Sequence, residues 1–219
     1  LAVASVVGIG SAVFYVVHHI TVQTSLFLVT GLIERRGGTA NMDRLGGLAK
    51  LSPLLAVLYF IPAINLAGIP PFSGFLGKLG LMQAGVELGT PLAYLLVAAG
   101  AATSLLTLLV MARVWNRAFW RTPEDAVHPD PILLATGPDG SRLRNSEDVS
   151  EITSGRFSSR DSVDLLPRTM VYPTVGLVAL GVSLTVLAGP LFSLSDNAAR
   201  DLLDRTPYIE AVLGEGAAE

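Results

Sequence analysis

The 219-residue chain contains no cysteine and few charged residues. Without cysteine, no disulfide, zinc–thiolate or iron–sulfur site can form within it. Charged residues make up 15% of the sequence and hydrophobic residues 51%, whereas soluble domains average about 25% charged residues. No basic patch mixed with aromatic residues indicates nucleic acid binding. Together with apolar runs near the length of a membrane span, the deficit of charge predicts an all-α, multi-pass membrane protein in contact with lipid.

Lysine is especially scarce, and its placement is informative. The chain has two lysines, Lys50 and Lys78, and its other thirteen basic residues are arginine. Lys78 lies in the middle of an apolar stretch, where an ammonium group is costly and is usually retained for function. A lysine withdrawn from water can release its proton, whereas an arginine stays protonated. We interpret Lys78 as a proton-carrying group; the alternative is a lysine that reaches water from near a helix end.

Hydropathy divides the chain into four apolar blocks. The predicted helices are A at about 11–33, B at about 53–85, C at about 91–120 and D at about 172–192. Residues 1–10 resemble the end of an earlier helix, closed by Gly8 and Gly10, which suggests the C-terminal piece of a longer protein. After helix D, residues 195–197 are expected to cap a short amphipathic helix that stops before Pro207.

These blocks predict the domain organisation. Residues 1–120 form a transmembrane bundle, and residues 121–171 form a polar loop that is irregular or partly disordered because their hydrophobicity is low. Residues 172–192 form the last transmembrane helix, and 193–219 an amphipathic or disordered tail. Basic residues concentrate in the A–B loop and at the end of helix C, while the B–C turn has none. The positive-inside rule therefore places the A–B and C–D loops in the cytoplasm of a bacterial plasma-membrane protein.

Helix B is expected to be broken within the membrane. Its roughly 33 residues would span about 50 Å, against a hydrocarbon core of about 30 Å. Adjacent prolines lack amide donors and cannot continue a helix, and a break at membrane depth is tolerated only beside protein or water. Ser73 and Asn65 flank the break and are expected to satisfy freed backbone groups. The alternative is a plain proline kink, but a break close to Lys78 is typical of a transport site. The predicted break comprises Gly68, Pro70, Pro71, Ser73 and Gly74.

Helix A carries a second group of polar side chains. Tyr15, His19 and Gln23 are spaced four residues apart and share one helical face, whereas His18 points about 100° away. Histidine suits a proton relay because it titrates near neutral pH, and Gln23 can hold water. The alternative is a histidine that joins neighbouring helices structurally. The candidate proton-transfer residues are Lys78, His19, His18, Gln23 and Tyr15. No nucleophile–base pair, metal cluster or cofactor motif is present, so no catalytic residue, metal or cofactor is predicted.

Four stretches of this sequence resemble the antiporter-like membrane subunits. That family comprises the proton-pumping subunits of respiratory complex I and the large subunits of Mrp-type sodium/proton antiporters. The stretch at the end of helix C is most similar to the D-type subunit of the Mrp antiporters. The matching stretches are residues 14–31 (FYVVHHITVQTSLFLVTG), 44–48 (RLGGL) followed by 52–53 (SP), 67–78 (AGIPPFSGFLGK) and 113–120 (RVWNRAFW).

The resemblance implies roles for individual residues. It makes helices A to D the last four helices of a longer subunit. Lys78 then corresponds to the lysine or glutamate of the second broken helix, which exchanges protons with one side of the membrane, and His19 to the relay histidine. Gln23 departs from the pattern because several relatives carry lysine there, so water held by Gln23, Thr21 and His19 would bridge the gap. Tyr15 stands where some relatives carry a second histidine.

Three functional hypotheses follow. The first is a proton-conducting subunit of a multisubunit Na⁺/H⁺ antiporter, with a path through Lys78 and His19. Its partners would be other subunits of the complex, Na⁺ and H⁺. The second is a proton-pumping membrane subunit of a complex I-like NADH:quinone oxidoreductase, the only case in which the chain would belong to an enzyme. The third is a structural membrane subunit that conducts no ions.

Overall fold

A computed structural model describes residues 5–125 and 166–204, together with Thr206 and Val212. The described residues contain helices and no strand. A π-helical segment, Trp115–Trp120, continues the fifth helix directly, and a 3₁₀ turn follows at Pro123–Asp125. The helices are α1 (Val6–Gly37), α2 (Leu48–Leu51), α3 (Pro53–Ala67), α4 (Ser73–Leu88), α5 (Pro91–Val114), α6 (Arg168–Val186) and α7 (Ala188–Leu203).

Helix α1 begins earlier than the sequence suggests. The Ser5 hydroxyl accepts a hydrogen bond from the Gly8 amide at 3.1 Å and caps the helix start. Residues 6–10 are therefore the first turns of α1, and the expectation that Gly8 and Gly10 close an earlier helix is wrong. The physical reason is packing, because a Cβ atom at Gly10 would collide with the Asp196 carboxylate of α7. Glycine here allows two helices to approach closely.

Helix α1 lies at the centre of the described bundle. It packs against α3, α4, α6 and α7, while α5 packs against α3 and α4 at the edge. Only Ala93 of α5 is buried, so most of this helix faces outwards. The best-buried apolar side chains lie where the end of α1 meets α2, the start of α3 and the end of α5. They include Leu32, Leu48, Leu55 and Phe119.

The helices have the lengths and composition of a multi-pass membrane protein. Three of them, α1, α5 with its π-helical extension, and α6, are long and apolar enough to cross a bilayer. Helix α3 is a shorter apolar helix, and α4 follows it after the irregular residues 68–72. The predicted all-α membrane fold with a broken helix is confirmed.

The region assigned to helix D differs from the prediction. Helix α6 ends at Val186, and α7 starts two residues later and runs through residues 195–197 to Leu203. A single helix over 172–192 with a new cap at 195–197 is therefore wrong. Pro190 lies in the first turn of α7, where proline is accommodated, and hydropathy cannot show a bend between two apolar helices. Helix α7 is amphipathic, as predicted for this region. Most of the predicted polar loop, residues 126–165, lies outside the described residues.

The A–B loop and the start of the C–D loop are in contact. Arg117 Nη1 lies 2.9 Å from Asp43 Oδ1. Arg121 Nη2 donates to the carbonyls of Met42 and Leu45, each at 2.7 Å. These two basic segments therefore lie at the same end of the bundle. This is expected if the predicted helices A (α1), B (α3 with α4) and C (α5) each cross the membrane once.

Candidate functional site

Two carbonyls at the end of α3 are left without backbone partners by the double proline. In a continuous helix the carbonyls of Leu66 and Ala67 would accept from the amides of residues 70 and 71. Pro70 and Pro71 have no amide hydrogen. Lys78 supplies the missing donor, because its Nζ lies 2.9 Å from Leu66 O and 3.2 Å from Ala67 O.

The position of Lys78 is also electrostatically favourable. Free carbonyls make the C-terminal end of a helix partly negative, so α3 attracts an ammonium group there. Gly68 follows with a left-handed backbone at φ +83°. A Cβ atom at Gly68 would lie 3.1 Å from Lys78 Cδ and 3.2 Å from Nζ. Glycine therefore permits both the turn and the close approach of the lysine.

The start of α4 is held by side chains from two other helices. Asn65 Oδ1 accepts from the Gly74 amide at 3.0 Å and from the Ser73 hydroxyl at 3.3 Å. The Ser73 amide donates to Thr185 Oγ1 of α6 at 2.9 Å. Both amides would otherwise be unpaired at a helix start, so the prediction that Asn65 satisfies freed backbone groups is confirmed. The Ser73 hydroxyl, for which the same was predicted, instead contacts the side chains of Asn65 and His18.

His18 lies against the break and away from the cavity described next. Its side chain is fully buried, and its Nδ1 lies 3.0 Å from Ser73 Oγ. Its Nε2 has no hydrogen-bond partner among the described residues. A Cβ atom at Gly74 would lie 2.9 Å from Nε2, so glycine at that position lets the imidazole rest on the first turn of α4.

The polar face predicted on helix A, which is α1, faces a cavity that Lys78 also lines. This cavity, of about 550 Å³, lies between α1, α4 and α5. Tyr15, His19, Gln23 and Lys78 all line it. Helix α5 adds the hydroxyls of Thr103, Ser104 and Thr107, which donate to their own helix and keep lone pairs available for water.

A second cavity continues towards the basic loops. It has about 320 Å³, and its lining includes Thr30 and Met42. Gln23 and Met111 line both cavities, so they stand at the junction. Tyr59 fixes this junction, because its hydroxyl donates to Met111 O at 3.1 Å and lies 3.4 Å from Met111 Sδ.

The predicted site residues thus divide into two groups. Lys78, His19, Gln23 and Tyr15 meet around one cavity. His18 instead joins the group that holds the break, with Ser73 and Gly74. Thr21, expected to hold water with Gln23, is buried and donates to Val17 O, and it lines neither cavity.

Sequence reasoning missed three contributors. They are the carbonyls of Leu66 and Ala67 and the hydroxyl of Thr185. The sequence does predict that these two carbonyls lack an amide donor, because each lies four residues before a proline. Thr185 lies on a distant segment, and no local spacing connects it with Ser73.

Comparison with known proteins relates this architecture to membrane transport. Residues 1–107 match the family described as NADH:quinone oxidoreductase/Mrp antiporter, TM. The chain is 34% identical over 215 residues to the Na⁺/H⁺ antiporter D subunit of Alkalihalophilus pseudofirmus, and 35% identical over 215 residues to that of Bacillus subtilis. It also superposes on a chain of the Mrp complex from Dietzia sp. DQ12-45-1b, with a TM-score of 0.68 and 36% identity.

These matches cover nearly all of this chain and a minor part of each relative. The matches to the two D subunits span 98% of this chain and 36% of each relative. The structural match covers 96% of this chain and 40% of the Dietzia chain. The chain therefore spans little more than a third of the length of the relatives that it matches.

Proposed function

Because the chain belongs to the antiporter-like family of NADH:quinone oxidoreductase and Mrp antiporter membrane subunits, we propose that it conducts protons in a multisubunit Na⁺/H⁺ antiporter. Lys78 takes up and releases the proton, and His19 relays it. The neighbouring subunits of the complex are its partners, and Na⁺ and H⁺ its substrates. The complex lies in a bacterial plasma membrane.

One observation carries this proposal: the ammonium of Lys78 binds the free end of α3 while its side chain lines the same cavity as His19. An amine partly withdrawn from water needs such a partner to hold a proton. Water in the cavity beside it would give the proton a route to the histidine.

The two cavities support a route from Lys78 to the basic end of the bundle. Water in the first cavity connects Lys78, His19 and Gln23. Gln23 cannot titrate, but its amide both donates and accepts hydrogen bonds, so it can orient the water that passes a proton onwards. The second cavity continues from Gln23 past Thr30 towards Met42 in the A–B loop.

Similarity favours antiport over the redox-driven alternative. The family description covers both classes, but the two D subunits named above, both from Na⁺/H⁺ antiporters, align over 98% of the chain. A purely structural role would account for the bonds of Lys78 to the end of α3 but not for the cavity that it shares with His19.

The test is cation-induced proton movement in everted membrane vesicles that contain the complete complex. We expect Lys78→Ala to lower exchange by at least about a hundredfold, since positioned proton-transfer groups typically contribute that much or more. Lys78→Arg should also lose exchange, because arginine keeps its proton. Native gels of each variant report whether the complex still assembles.

Lys50→Ala is the matched control. Lys50 is the other lysine of the chain, is exposed, and lies in the short helix α2 away from both cavities. Exchange should stay at the wild-type rate in this variant. Normal exchange in an assembled Lys78→Ala complex would refute the proposed path and leave the chain a structural role.

A further inference from the structure

The hydrogen bonds around His18 favour one of its tautomers. Asn65 Oδ1 accepts from the Gly74 amide at 3.0 Å and lies 3.3 Å from the Ser73 hydroxyl. If the single hydroxyl hydrogen of Ser73 is donated to Oδ1, Ser73 Oγ accepts from His18 Nδ1, 3.0 Å away. We assign the hydrogen of His18 to Nδ1 on this pattern. Nε2 is then a bare lone pair, fully buried and without a partner among the described residues.

This network joins four helices at the break. His18 lies on α1, Asn65 on α3, Ser73 on α4 and Thr185 on α6, whose hydroxyl accepts from the Ser73 amide. Through Ser73, His18 acts directly on the residue at which α4 begins. A shift of His18 would be transmitted to Lys78, which lies five residues after Ser73.

The two ends of the break prefer opposite charges. The C-terminal end of α3 is partly negative and holds the Lys78 ammonium. The first turn of α4 is partly positive, and the imidazole of His18 lies directly on it, at Gly74. A positive charge on His18 would be repelled there, and its new Nε2–H would have no acceptor among the described residues.

We propose that His18 is a positioning residue that stays neutral and fixes the start of α4, while the mobile proton passes between Lys78 and His19 only. The adjacent histidines thus have different roles, because one faces the break and the other faces the cavity. The inference rests on the proposed proton path and assigns to His18 a part that carries no proton.

The titratable groups around His18 are consistent with this role. On α1 they are His19 and Tyr15, whose ring centroid is 5.6 Å from that of His18. On α4 the group is Lys78. Helices α3 and α6 contribute Asn65 and Thr185 to the network, and neither titrates. No carboxylate among these groups would stabilise a charged His18.

Transport in the full complex tests the role through a pair of matched variants. In His18→Asn the amide nitrogen can replace Nδ1–H, whereas His18→Gln places its amide one bond further out. We expect His18→Asn to keep about half or more of the exchange rate with an unchanged pH profile. His18→Gln should fall about tenfold or more, because small misplacements of reacting groups are costly. In contrast, His19→Asn should lose exchange.

Equal loss in both His18 variants, wild-type exchange in both, or a displaced pH profile in His18→Asn would overturn the inference.

A second measurement does not depend on transport. Residues 1–219 contain no cysteine, so in a complex whose other cysteines are replaced, Lys78→Cys provides a single thiol whose labelling rate reports the position of α4. In that background His18→Gln should change the rate severalfold and His18→Asn should not. If Lys78→Ala alone exchanges normally, the proton path fails while this labelling contrast still decides the role of His18.

Discussion

At the scale of single residues, Lys78 combines a structural and a chemical role. The prolines at positions 70 and 71 leave two carbonyls free, and the lysine ammonium satisfies both. Loss of its proton would remove the attraction between the ammonium and the negative end of α3. The amine would then be freer to turn towards the cavity. Protonation and the position of the side chain are therefore coupled at this residue.

Gln23 gives the second prediction at this scale. Because it stands where the two cavities meet, Gln23→Leu should remove an anchor for water without disturbing a salt bridge or a helix cap. We expect exchange to fall by about tenfold, equivalent to roughly 1.4 kcal/mol for one water-mediated hydrogen bond. The control is Thr24→Leu, because Thr24 is the exposed neighbour and its hydroxyl donates to Ile20 O of its own helix. Equal rates in the two variants would exclude Gln23 from the path.

At the scale of elements, the sequence predicts the helix break and the polar face of α1 but not how they meet. Adjacent prolines dictate a break locally, and a four-residue spacing places Tyr15, His19 and Gln23 on one face. Neither pattern shows which neighbour a face will meet, so the contact of His18 with Ser73 could not be predicted. The predicted start of α1 is wrong for the same reason, since Gly10 is explained only by its contact with α7.

The packing of α1 on α4 gives a prediction for an element. A Cβ atom at Gly74 would collide with Asn65 O and lie 2.9 Å from His18 Nε2. Gly74→Ala should therefore destabilise the chain by roughly 1–3 kcal/mol, because overpacking displaces backbone. Gly176→Ala is the control in α6, where a Cβ atom meets nothing within 4 Å, and it should stabilise by about 0.5–1 kcal/mol. The melting temperatures of the two purified complexes should move in opposite directions. An unchanged melting temperature in Gly74→Ala would mean that the first turn of α4 can shift freely.

At the scale of the whole molecule, the basic residues mark one end of the described bundle. Arg117 and Arg121 of the α5 extension contact the A–B loop there, and the second cavity extends to the same loop at Met42. The turn between α4 and α5 lies at the opposite end and carries Glu87 without a basic residue. A path that runs from Lys78 through both cavities would consequently open on the basic side.

The positive-inside rule then predicts the orientation of that path. Glu124 follows the α5 extension at the basic end, Glu87 lies at the opposite end, and both are exposed. Residues 1–219 contain no cysteine, so in a complex whose other cysteines are replaced, Glu124→Cys and Glu87→Cys give single thiols for a membrane-impermeant maleimide. We expect position 87 to be labelled in intact cells and position 124 only in everted vesicles, with both labelled after permeabilisation. The reverse pattern would mean that the protein has the opposite orientation in the membrane and that the second cavity opens to the outside. Labelling of both positions from one side would show that α5, which joins them, does not cross the membrane. Because the extension of α5 contacts the A–B loop, α3 and α4 would then not complete a crossing either, and Lys78 would lie in a re-entrant segment.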